Sequence, residues 1–131
     1  MDQRLQQVID HPLHRHLGIE RVDSAEGRAR LSITVGDNTV NPAGVLHGGV
    51  LYLLCDVCAY AGLLSQLAAT TQAVTHDIHV SIMRAARAGE VVVFESHPLR
   101  VGRRVAFIDV SAHVGERLVA QARVTKTLFE A

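Results

Sequence analysis

The chain has 131 residues, with 13 basic and 13 acidic side chains and no formal net charge at neutral pH. That balance excludes a general binder of nucleic acid or of anionic membranes, which needs a basic surface. Hydrophobic residues at 48% and charged residues at 20% fit a soluble globular protein, expected to be one domain over residues 1–131.

The opening Met1-Asp2-Gln3-Arg4 is polar and acidic rather than a basic lead into an apolar run. No secretory signal is read, and a cytoplasmic protein is expected. Asp2 to Ile9 reads as a short amphipathic helix with Leu5, Val8 and Ile9 on one side, ended by His11-Pro12. Leu17 to Ala25 reads as a first strand and Glu26-Gly27 as a turn. Ala29, Leu31, Ile33 and Val35 then alternate with Arg28, Arg30, Ser32 and Thr34, the pattern of a half-buried strand. Gly36-Asp37-Asn38 breaks it, and a loop to Leu46 follows.

A long helix is expected from about Gly48 to Leu67. It is apolar almost all round, so protein should enclose it. The stretch from Val50 to Ala69 raises the question of a membrane span. It carries Asp56, Gly62, Ser65 and Gln66, and strands nearby need a partner for their apolar faces, so a buried helix is the better reading. After Gln72 the period becomes two, with Ile78, Val80 and Ile82 opposing Asp77, His79 and Ser81. Strands over Val91–Arg100, Val105–Val114 and Leu118–Leu128 follow, separated by Gly turns. Four strands in succession point to an antiparallel meander. The expected class is α+β, a curved antiparallel sheet of about six strands wrapped around one long central helix.

One residue stands out against this pattern. From Asn38 to His76, Asp56 is the only Asp, Glu, Lys or Arg. A carboxylate in an apolar segment is costly unless it is compensated, and such groups are commonly paired or functional. Just upstream, His47-Gly48-Gly49 opens the helix. A helix beginning at a glycine pair presents unpaired N–H groups and a positive dipole end to any ligand that approaches. That end can hold a developing oxyanion. Gly48 and Asp56 are eight residues apart, about 12 Å along one helix, so they cannot meet one carbonyl within a single chain. Two helices packed antiparallel about a two-fold axis would bring Asp56 of one copy to Gly48 of the other. Catalysis by this pair therefore predicts a homodimer.

Asn41-Pro42-Ala43-Gly44-Val45-Leu46-His47-Gly48-Gly49, with Asp56 nine residues after the histidine, resembles the hotdog-fold acyl-CoA thioesterases of the phenylacetate-degradation (PaaI-like) type. The order of elements along the chain agrees. The resemblance implies dimers of hotdog protomers, commonly doubled to tetramers, with sites at the dimer interface. It implies that the Gly48 N–H polarises the thioester carbonyl. Asp56 of the opposing chain would activate water or attack as the nucleophile. His47, Gly49 and Asn41 would shape the carbonyl site and its loop. Thr75 falls where some relatives carry a hydroxyl beside the attacking water, although the neighbouring Val74 leaves room for a one-residue slip. The substrate would be a small or medium acyl-CoA, aromatic acyl groups included. Coenzyme A is then part of the substrate, and no separate cofactor or metal is expected.

Other residues are read more plainly. Structural roles for His47 (a loop or cap histidine) and Asn41 (a turn residue before Pro42) stand beside the catalytic ones. Cys55 and Cys58 are read as small core residues, not as a redox pair or metal ligands. His11, His14 and His16 have no carboxylate or cysteine at ligand spacing. The arginines near predicted strand ends, such as Arg100, Arg103 and Arg104, are read as solvated charges, and Met83 and the few aromatics as packing. Lys126 is the chain's only lysine. Two other activities share the expected fold: a hydratase or dehydratase of acyl thioesters, and a non-catalytic acyl-CoA binder.

Overall fold

The computed structural model describes residues 3–130. The first helix, α1, spans Gln3–Asp10 and buries Leu5 and Val8, and its expected first residue, Asp2, lies outside the described residues. His11-Pro12 does not simply stop the helix; it starts a second one, α2, over Pro12–His16. Proline suits the first helical position because its missing N–H would have no partner there. The His11 side chain caps it by accepting from Leu13 N. Leu17 closes α2 and Gly18 follows at φ 78°, so the first strand, β1, begins only at Glu20 and runs to Ala25.

Strand β2 spans Arg28–Thr34 and buries Ala29, Leu31 and Ile33, as the alternation predicts. It is joined to β1 by Glu26-Gly27, both with positive φ (55° and 82°), which is the two-residue hairpin whose twist matches that of its strands. The central helix α3 spans Gly48–Leu63, four residues shorter at its end than expected. The Ser65 hydroxyl explains that stop: it donates to Gly62 O and accepts from Gly27 N, tying the last turn to the β1–β2 hairpin. The remaining strands are β3 (Thr71–Ile82), β4 (Val91–Val101), β5 (Val105–Val114) and β6 (Arg117–Glu130).

All six strands form one antiparallel sheet in the order β1-β2-β4-β5-β6-β3. The expected meander therefore holds for β4, β5 and β6, but β3 does not sit beside β4. The segment between them is bound elsewhere. Leu46 N donates to Ala86 O, Val35 N donates to Glu90 O, and Gly89 N donates to Val35 O. Those bonds deliver β4 to the side of β2 and leave β3 to pair with β6 at the far edge.

One face of the sheet supplies Leu31, Ile33, Val92, Phe94, Ile108 and Val124 to the core, all at most 1% exposed. Each such side chain contributes roughly 1.5–3 kcal/mol on burial. Against them α3 lays Leu51, Leu54, Cys55, Cys58, Ala59, Ala61 and Leu63. The closest approach is at Gly62, where an added Cβ would lie 2.6 Å from Gly27 O and 2.8 Å from Ser96 Oγ. The helix is not enclosed all round, however. Gly49, Tyr52, Leu53, Asp56 and Tyr60 form a stripe at helical spacing that is only partly covered or is exposed. Met83 and most aromatics also depart from the packing role expected of them. Met83 is 50% exposed and Phe129 45%, whereas Phe94 is fully buried. Among the described residues no helix is long and apolar enough to cross a membrane.

Candidate active site

The His-Gly-Gly segment starts α3 as expected. His47 is the N-cap: its backbone is extended (φ −64°, ψ 132°) and its Nδ1 accepts from Gly49 N at 2.9 Å. Because Nδ1 accepts, the ring proton of the neutral imidazole sits on Nε2. His47 O accepts from Val50 N and Leu51 N, while its own N donates to Thr39 O. The Gly48 N–H has no acceptor among the described residues. Asn41 holds the preceding loop, its Oδ1 accepting from Ala43 N at 3.0 Å and Val45 N at 3.3 Å. This is the side chain standing in for a turn of backbone, the structural reading of Asn41. Asn41, His47, Gly48 and Gly49 thus gather at the helix N-terminus, and Asp56 sits two turns further on.

Asp56 meets a different set of residues. Thr75 Oγ1 donates to Asp56 Oδ1 at 2.6 Å, and Lys126 Nζ donates to the same oxygen at 2.8 Å. Lys126 Nζ also donates to Thr75 Oγ1 at 2.8 Å. Thr75 and Lys126 are directly opposed across β3 and β6. Thr75 is the fifth residue of β3, and Val74 is 49% exposed. A bulge at His76 explains why strand alternation hides this residue. Ala73 and Thr75 turn towards the helix before it, Ile78 and Val80 after it, so the parity switches.

The carboxylate opens onto a cavity of about 430 Å³. Leu53, Val57 and Tyr60 of α3 line one side, and Arg4, His11 and His14 of the N-terminal helices line another. The His11 and His14 rings lie with centroids 4.6 Å apart and planes tilted by 34°, and His14 Nδ1 donates to Val8 O. A larger hollow of about 590 Å³ lies along β1, β2 and β4 beside Arg28, Glu95 and His97. It contains none of the residues singled out above, so chemistry rather than size marks the smaller cavity as the candidate site.

Sequence reasoning noticed Lys126 but assigned it nothing. Its signal is the pattern of β6: Ala120, Ala122, Val124, Lys126 and Leu128 form the inward row, and all five are buried. A lysine on that row is 3% exposed and must be paired. Arg4, His11 and His14 carried no such signal, because only the fold of the N-terminal helices brings them to Asp56. Cys55 and Cys58 are buried core residues, and burial pushes both thiols up to about 12.

Comparison with known proteins gives the family and the fold. A profile of the thioesterase superfamily matches residues 43–114, from the last part of the loop before α3 to the end of β5. A human protein named acyl-coenzyme A thioesterase 13 is 32% identical over 98% of this chain and 96% of its own. A protein named as an esterase in Deinococcus radiodurans is 38% identical over 76% of this chain, which spans 66% of that protein's length. A mutant of the phenylacetic acid degradation protein PaaI from Thermus thermophilus superposes with a TM-score of 0.82 at 25% identity, covering 88% of this chain and 97% of that one. With its helix-on-sheet architecture and this match, the chain belongs to the thioesterase superfamily and is a hotdog-fold thioester hydrolase.

Proposed function

We propose that this enzyme hydrolyses acyl-CoA thioesters carrying a small or medium acyl group, aromatic ones included, to the free acid and coenzyme A. The observation that carries the reading is the Asp56 carboxylate, 32% exposed at a cavity, held on one oxygen and lying on an otherwise apolar helix. Both bonds to it fall on Oδ1, and among the described residues Oδ2 receives none. Oδ2 is the oxygen available to chemistry.

The functional unit in this reading is a homodimer. Gly48 and Asp56 lie about 12 Å apart along α3, so the carbonyl above Asp56 takes its hydrogen bond from Gly48 of the partner subunit. Two features of the fold favour a second copy. The uncovered stripe of α3 contains both Gly49 and Asp56. Strand β3, twelve residues long, has one edge unpaired among the described residues.

Within such a site, Oδ2 takes a proton from water as the water attacks the carbonyl carbon, or Oδ2 itself attacks and forms an anhydride that water then opens. In both routes the carbonyl oxygen gains charge, and the Gly48 N–H and the helix dipole stabilise it. The carbon–sulfur bond then breaks. Coenzyme A leaves as a thiolate, an accessible leaving group because a thiol, with an ordinary pKa of about 8.5, is a far stronger acid than water or an alcohol. In the general-base route the thiolate recovers the proton held by Asp56.

The test is hydrolysis across a panel of acyl-CoA thioesters, with Asp56→Ala as control. Turnover of some panel members, and its collapse in a folded Asp56→Ala protein, is expected. Full activity without the carboxylate contradicts the proposal.

A further inference from the structure

Lys126 is the only lysine in the chain, and it is placed where a lysine rarely sits. Its neighbours on the inward row of β6 are Ala122, Val124 and Leu128. An ammonium there loses most of its hydration and must recover it from partners. It has three N–H donors and no acceptor. One donor goes to Asp56 Oδ1 and one to Thr75 Oγ1, both at 2.8 Å. The ammonium also lies 5.5 Å from the centre of the Tyr60 ring, within reach of its negative face.

This arrangement determines the direction of every bond in the triangle. Thr75 Oγ1 accepts from the ammonium, so its own proton is free to point at Asp56 Oδ1, 2.6 Å away. Oδ1 accepts twice, from Thr75 and from Lys126, which fixes the rotation of the carboxylate. Oδ2 is then left without a hydrogen bond among the described residues, on a residue that lines the cavity. Thr75 and Lys126 are cross-strand neighbours on β3 and β6, so the sheet itself sets the spacing of the two donors. A neutral residue of the same length could fill the space, but it could neither orient the hydroxyl nor hold the carboxylate.

Building on the reading of Asp56 as the catalytic carboxylate, we propose that Lys126 is a positioning residue, whose ammonium clamps Asp56 Oδ1 and Thr75 Oγ1 so that Oδ2 alone faces the thioester. It acts through Asp56 and does not itself touch the substrate. Its loss therefore lowers turnover and leaves substrate binding in place.

Two experiments test this. In the first, Lys126→Met replaces the ammonium by an apolar chain of similar length and leaves Asp56, itself 32% exposed, without its ion partner; some loss of stability accompanies the change, and kinetics are read below the variant's melting transition. We expect kcat to fall about 10- to 100-fold with KM within about two-fold, the size of effect that misplaced catalytic groups produce. Lys126→Arg keeps a cation and should recover part of the lost kcat. A folded Lys126→Met enzyme with parental kcat overturns the proposal, as does a loss confined to KM. The second experiment does not depend on Lys126→Met folding or on hydrolysis; it needs only the parent and a folded Asp56→Asn protein. Lysine-selective ¹⁵N labelling gives a single side-chain ammonium signal, since the chain has one lysine. That signal should be protected from solvent exchange in the parent protein and should shift in Asp56→Asn. A rapidly exchanging signal, indifferent to Asp56→Asn, overturns the proposal. The readouts are separable: if Asp56→Ala keeps full hydrolysis the functional reading fails, whatever the ammonium signal shows.

Discussion

Proline at position 48 isolates the proposed oxyanion donor from the fold around it. Gly48 is the first residue of α3, and its N–H has no acceptor among the described residues. Proline is favoured at that position, and the extended backbone of His47 (φ −64°, ψ 132°) is what a residue before proline adopts. Gly48→Pro therefore breaks no hydrogen bond of the folded chain. A Cβ there would lie 3.3 Å from Ile82 Cδ1, the end of a side chain that is itself 46% exposed and can shift. Loss of backbone freedom in the unfolded state offsets this strain by about 0.4–1 kcal/mol. Stability should hold or rise slightly. Catalysis should not hold, because removing one oxyanion donor costs about 2.7–4 kcal/mol of transition-state binding, or 10²–10³ in kcat. Gly48→Ala is the control: it adds the same Cβ and keeps the N–H, so it should retain most of the turnover. The assay is steady-state hydrolysis of a thioester substrate, with thermal melts of all three proteins. If Gly48→Pro stays folded and turns over within about three-fold of Gly48→Ala, the N–H is not the oxyanion donor.

Gly62→Ala would place a Cβ 2.6 Å from Gly27 O and 2.8 Å from Ser96 Oγ. Since Gly27 O is backbone, the helix must move, and a loss of about 1–3 kcal/mol is expected from the denaturant midpoint. A variant as stable as the parent would show that α3 does not approach the sheet so closely. For Cys55 and Cys58, burial holds both thiols protonated to about 12. At about pH 8 a thiol reagent should label neither residue in the folded protein and both in denaturant. Rapid labelling of the native protein would contradict a core position for the pair.

Different parts of this molecule were legible in the sequence for different physical reasons. The alternation from Ala29 to Val35 revealed β2 because that strand is buried on one face and solvated on the other. The start of α3 was legible because glycines after a capping residue are a local signal. The position of β3 was not, since the partner of a strand is fixed by distant contacts, here the bonds of Ala86 and Glu90 that draw β4 to β2. The bulge at His76 likewise has no counterpart in a period-two pattern, and it is what turns Thr75 towards Asp56. Lys126 could have been assigned by extending the Ala120, Ala122, Val124 row by one step. It was instead noted only as the single lysine of a chain whose other basic residues are arginines, and was given no role. Asp56 itself was legible because a carboxylate is conspicuous in an apolar helix, whereas its partners come from strands far along the chain.

Mixing two inactive variants tests the shared site most directly. Asp56→Ala and Gly48→Pro each leave every site of their own homodimer incomplete. Dissociated and reassociated together, they form mixed dimers in which one site joins an intact Asp56 to an intact Gly48 from the other chain. With random pairing, about half of the dimers are mixed and one of their two sites works, so about a quarter of parental activity should return. If the mixture is as inactive as its components although subunit exchange is demonstrated, the acid and the helix tip do not come from different chains.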